Sequence, residues 1–257
     1  MRLDAHQHFT PEYTPDLLWP ILKRNRFDGG IVVCGPADTA YHLELADKYE
    51  FIRGVVAAEY VDHPKLRGVW GGPRLGVGQA VEPAADGPVR LAGEQTLAAD
   101  GGLNSPPQAR QPALPGIRVL HELEAHNLTF ELEDIGLVPQ IAEAHPNLRI
   151  VIRHLGRPHP FEAVERAAAY PNVFGKISGL ITHCPTRWKA DDFRPHVQHA
   201  LHAFGPHRLM FGSDWPSYLP EGTFKEALAA FTQSIGALPL EMREQILGGT
   251  AERAYAL

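Results

Sequence analysis

The chain has 257 residues, 44% of them hydrophobic, with 24 Lys and Arg against 30 Asp and Glu for a net charge of −6. That length suits one large α/β domain, and an acidic balance without a Lys/Arg run argues against nucleic acid or an anionic membrane as partner. Two cysteines exclude a disulfide framework, no apolar run reaches the ~18 residues of a membrane span, and MRLDAHQHF is no signal peptide, so the sequence reads as soluble and cytoplasmic.

Short apolar runs alternate with amphipathic ones along the chain. Residues 2–9 predict a strand that begins almost at once. Residues 30–35 (GIVVCG) predict a second, bounded by glycines, and 38–49 a helix with Asp38 suited to its N-cap. Residues 51–60 hold a third strand and 66–70 (LRGVW) a short fourth. The 61–65 connection is too short for a crossover helix. Four more strands follow at 129–133, 149–154, 172–178 and 208–213, with helices over 138–145, 161–169, 191–204, 224–235 and 240–247. Strands alternating with helices predict parallel βαβ units, and eight of them fit a closed (β/α)₈ barrel. The absence of a GxGxxG after the first strand argues against a dinucleotide-binding sheet. Residues 71–116 break the rhythm, with nine glycines, seven prolines and no aromatic side chain. They predict an irregular segment, with one helical patch near 89–99, inside a single domain over 1–257. They distort the barrel around its third and fourth strand units.

The chemistry-bearing residues fall at strand ends. His6 and His8 are two apart on the first strand and therefore share a face. His154 ends the sixth strand in RIVIRHLGRP, and Asp214 ends the eighth in RLMFGSDWP. The C-terminal ends of barrel strands build active sites, so strands one, six and eight can bring three imidazoles and one carboxylate together. Such N/O ligands with an open position suit zinc or a similar divalent ion, and Asp214 can serve as a ligand or a general base. Lys176 on the seventh strand either points inward to hold a substrate carbonyl or carboxylate, or snorkels outward. His183 in the next loop has the same standing. Trp215 either walls a substrate pocket or packs.

DAHQHF at the start, HLGRP after the sixth strand, NVFGKISGL and FGPHRLMFGSDWP together resemble the amidohydrolase superfamily, and within it the lactonase branch. The run from Gly248 to Arg253 is similar to the family's closing helix. The likeness covers residues 1 to about 70 and about 117 to the end. It implies a distorted barrel with His6, His8, His154 and Asp214 at the reaction centre. It implies attack of water on a lactone carbonyl, with Asp214 taking the proton and returning it to the leaving alcohol. Members of the branch divide between zinc enzymes and enzymes that work without a metal. Two positions depart from the branch: Trp70 stands where an arginine is usual, and Glu131 where an aspartate is usual. Two alternatives stand beside the lactonase. One is a metal-dependent decarboxylase of an unsaturated acid, which related barrels also host; the other is a barrel that has lost its activity.

Overall fold

The computed structural model describes residues 1–35, 37–71, 117–155, 157–182 and 188–257. Eight parallel strands form one sheet in chain order. They are β1 (Leu3–Gln7), β2 (Gly29–Val33), β3 (Ile52–Ala57), β4 (Leu66–Gly71), β5 (Thr129–Leu132), β6 (Arg149–Ile152), β7 (Val173–Ile177) and β8 (Leu209–Phe211). The ring is drawn shut by backbone bonds just past the last strand. Asp214 N donates to His6 O at 2.8 Å and His8 N to Trp215 O at 2.7 Å. The result is the barrel that the alternating pattern predicts.

The helices are α1 (Pro15–Arg24), α2 (Thr39–Lys48), α3 (Ile117–Ala125), α4 (Val138–Ala144), α5 (Phe161–Ala168), α6 (Ala190–Phe204), α7 (Phe224–Ile235), α8 (Leu240–Glu244) and α9 (Thr250–Ala254). The bounds of α7 are those expected because a capping box fixes its start: the Thr223 hydroxyl accepts from Glu226 N, and the Glu226 carboxylate accepts from Thr223 N. Asp38 does occupy the N-cap of α2, but its side chain makes no capping hydrogen bond. The helix expected over 240–247 is shorter. It gives way to a π-helical turn at Gln245–Gly249, where the chain start crosses so closely that a Cβ on Gly248 would sit 1.9 Å from Met1 O. The segment 72–116, with its expected patch at 89–99, and His183 lie outside the described residues.

Between β3 and β4 there is no helix. Residues 58–65 return through a bend at 58–59 and a turn at 64–65, and eight residues can reach at most about 26 Å, enough to span a six-residue strand of about 20 Å. Each strand is buried on both faces. Phe130, Leu132, Ile150, Ile152, Leu209 and Phe211 join the large cluster with the helices. Leu3, Ala5, Ile31, Val33, Val56, Val151 and Met210 make a second cluster, which Tyr255, just past α9, joins. By strand alternation this second cluster is the barrel interior. No helix among the described residues is long and apolar enough to cross a membrane.

Candidate active site

The chain closes its ring and builds its mouth at the same place. β1 carries a register shift between Asp4 and Gln7, and a bulge of this kind re-aims the side chain beside it. His6 sits at that shift. Its ring lies 4.9 Å from that of His8 and 4.6 Å from that of His154. Behind it Gly212 leaves no room for a side chain, because a Cβ there would meet His6 Cβ at 2.6 Å. Asp4 holds the seam from beneath: its carboxylate accepts from Ser213 N at 2.7 Å and Ser213 Oγ at 2.6 Å.

Asp214 is shared between the end of β1 and the segment after β7. Its Oδ1 lies 3.3 Å from His8 Nε2 and 3.7 Å from His6 Nε2, and its Oδ2 accepts from Thr182 Oγ1 at 2.7 Å. Burial alone would raise this carboxyl. The His8 hydrogen bond, the neighbouring His154 and His8 rings and the Thr182 hydroxyl outweigh it and hold the group below its ordinary value. His6, His8 and Asp214 bring three donor atoms within 4.8 Å of one another, a group able to hold a metal ion. His154 stands beside that group, but its Nδ1 is engaged with Ser178 Oγ at 3.0 Å and its Nε2 lies 3.7 Å from Glu133 Oε1. Both His154 (φ 57°) and Asp214 (φ 68°) adopt the left-handed conformation. Non-glycine residues rarely do so, and such strain clusters at functional sites.

Lys176 and Trp215 are placed differently from the other expected residues. Lys176 points into the barrel and does not snorkel out. Its ammonium is fully buried, donating to Glu131 at 2.8 and 2.9 Å, beneath the mouth and not open to it. The Glu131 carboxylate also accepts from Tyr255 Oη at 2.5 Å. Trp215 is 1% exposed and packs edge-on against Phe9 and Tyr13, so it is a core side chain rather than a pocket wall. Asp4, Ser178, Thr182 and Arg157 were not singled out from the sequence. Asp4 carried a signal, as an acidic residue inside an otherwise buried strand; Thr182 and Ser178 carried none beyond following the seventh strand. Arg153, just past β6, lies over the Trp70 ring at 5.4 Å, so a guanidinium does stand beside the position where the branch usually carries one.

Burial drives the His6 imidazole well below its ordinary value, with the Lys176 charge adding to the fall. Burial also takes His154 down to about 3; the Asp214 charge opposes this, and Arg157 and Arg153 reinforce it. An unfolded chain takes up protons on both rings below 6.5, and the folded chain does not. Stability from these two is therefore intact above pH 6.5 and lost as pH falls below it, for His154 down to about 3. Asp4 acts in reverse: burial raises it to about 6, so its proton favours the folded chain between 3.8 and 6. With two imidazoles opposing one carboxyl, the folded chain loses stability on acidification below pH 6. The thermal midpoint of metal-free protein will fall on acidification across that range, and His154→Asn will flatten the slope. A midpoint that held or rose would contradict neutral buried histidines.

The family pattern described as amidohydrolase matches residues 3–257. L-fucono-1,5-lactonase of Burkholderia multivorans is 28% identical, the match covering 100% of this chain and 96% of that protein. A crystal structure of an amidohydrolase from Burkholderia multivorans with bound zinc is 25% identical, covers 100% of this chain and 99% of its own, and superposes with a TM-score of 0.76. A putative 2-pyrone-4,6-dicarboxylic acid hydrolase from Pseudomonas putida, 20% identical, has the same fold with a TM-score of 0.67, covering 99% of this chain and 97% of its own. With the pattern matched from β1 to the last residue, the chain belongs to the amidohydrolase family.

Proposed function

We propose that this barrel, acting as one domain over the whole chain, hydrolyses a lactone to its hydroxy acid, with Asp214 as the base for the attacking water. One observation carries the assignment of the base: an ionised carboxylate held on Oδ2 by Thr182 turns its Oδ1 toward His6 and His8 at the mouth. The lactone class is supported by likeness along the full chain to proteins named L-fucono-1,5-lactonase, at 28% and 26% identity.

The residues at the mouth fit a divalent ion. His8 Nδ1 lies 2.7 Å from the Val33 carbonyl and must donate to it. In the neutral ring that leaves the Nε2 lone pair facing a carboxylate at 3.3 Å, a repulsion that a proton or a cation relieves. His6 Nε2 is buried with no hydrogen-bond partner among the described residues. The Lys176 ammonium spends its short bonds on Glu131, and its 3.4 Å approach to His6 Nδ1 is too long to fix the tautomer. His6, His8 and Asp214 would hold the ion, zinc being the best match for this donor set. When bound, it would supply a water of lowered pKa and a polarised carbonyl.

Asp214 stays ionised through the neutral range and accepts a proton from water as the carbonyl carbon is attacked. It returns that proton to the ring oxygen as the ester bond breaks, so the product is the open hydroxy acid. His154, neutral and receiving the Ser178 hydroxyl on Nδ1, carries its proton on Nε2 and offers it to the carbonyl oxygen as charge builds there. The test is a panel of sugar lactones and dicarboxylate lactones followed by a pH indicator, with products weighed by mass spectrometry. Acid release with gain of one water is expected. Carbon dioxide release, or no turnover across the panel with zinc-loaded enzyme, would overturn the assignment.

A further inference from the structure

A second group of metal-capable side chains lies outside the barrel, on helices that the mouth does not use. His121 and Glu124 are three apart on α3 and therefore share one face. His145 is the C-cap of α4. Its side chain is almost wholly buried, yet its Nδ1 makes no hydrogen bond among the described residues. That nitrogen faces Glu124 Oε2 at 3.5 Å, and His121 Nδ1 lies 4.0 Å from the same oxygen. The two imidazole rings stand edge to face, 4.7 Å between centroids. The three donor atoms lie within 4.8 Å of one another.

We propose that His121, Glu124 and His145 form a second divalent-cation site, which clamps α3 to the end of α4. Metal–ligand bonds of ~2.1 Å in a tetrahedron place neighbouring donors about 3.4 Å apart. The Glu124–His145 pair already has that separation. The His121 side chain, 63% exposed, is free to swing the remaining distance inward. Two imidazoles and one carboxylate are a borderline donor set, which selects zinc and its transition-metal neighbours over calcium or magnesium. A water completes the shell.

The site owes nothing to the lactonase reading, and it is tested apart from turnover. Zinc alone is titrated into full-length wild-type protein and into His121→Ala/Glu124→Gln, with stoichiometry read against a chromophoric chelator. Cobalt absorption serves as the spectroscopic check. His145 is left in place because its ring is part of the core. The variant is expected to bind one ion fewer than wild type, to lose the zinc-dependent rise in thermal midpoint that belongs to this site, and to keep its turnover. Equal stoichiometry in the two proteins overturns the proposal, as does a wild type that binds no zinc; His145 and Glu124 would then be an ion pair only.

Discussion

Asp214→Asn will leave the barrel folded and lower kcat by about 10²–10⁴-fold, the range spanned by loss of a positioned general base. Asparagine is the right probe for a backbone reason. Asp214 sits at φ 68°, and Asn is among the residues that tolerate the left-handed region. The substituted carbonyl oxygen still accepts from Thr182, and the backbone bond from residue 214 to His6 O is untouched. What disappears is the negative oxygen facing His8 and His6. Alanine would confound the measurement, since it adds about 1–2 kcal/mol of backbone strain to the loss of the carboxylate. Saturating kinetics beside a thermal melt separate the two effects. A variant that melts like wild type and turns over like wild type would remove Asp214 from the mechanism.

Lys176→Met will cost about 3–5 kcal/mol of folding stability, the usual loss when one partner of a buried ion pair is removed. The loss arises on the other partner. Glu131 has no exposure of its own and takes two of its short hydrogen bonds from Lys176. Without them it keeps the Tyr255 hydroxyl and an Arg153 guanidinium at 3.9 Å, too far to replace an ammonium in contact. Adding Glu131→Gln to Lys176→Met should recover part of the loss, because the uncompensated charge is gone while an acceptor for Tyr255 remains. Denaturant midpoints of the two variants decide it. A single-variant loss below about 1 kcal/mol would mean that Glu131 finds another partner or takes up a proton.

The strands were legible because each is a short apolar run, and in a barrel both faces of each are buried. Their ends were less so: β1 runs Leu3–Gln7 within the expected 2–9, and β8 only Leu209–Phe211 within 208–213. Two helices escaped notice for local reasons. α1 carries Pro15 at its first turn and Pro20 inside, and α3 follows directly on a Gly- and Pro-rich stretch that masks its periodicity. At the mouth, residue type and strand-end position singled out His6, His8, His154 and Asp214, which the structure brings together. They could not reveal the bulge that turns His6, or the left-handed backbone at residues 154 and 214, since neither leaves a mark in side-chain identity. Lys176 and Trp215 were ambiguous for the same reason: whether a long side chain meets substrate or a buried partner depends on what the opposite strands present, here Glu131, Phe9 and Tyr13.

The bonds that shut the barrel have a consequence for how the protein comes into being. Asp214 meets His8 across 206 positions of chain, and the backbones of residues 6 and 8 are the very groups that tie down residues 214 and 215. On the roles proposed for these residues, no half of the molecule owns a working centre. A nascent chain that has laid down seven strands holds the imidazoles without Asp214, the base proposed above. Assembly of this kind is slow, because its decisive contacts are the most distant ones in sequence. Completeness of the fold and onset of chemistry are then one event.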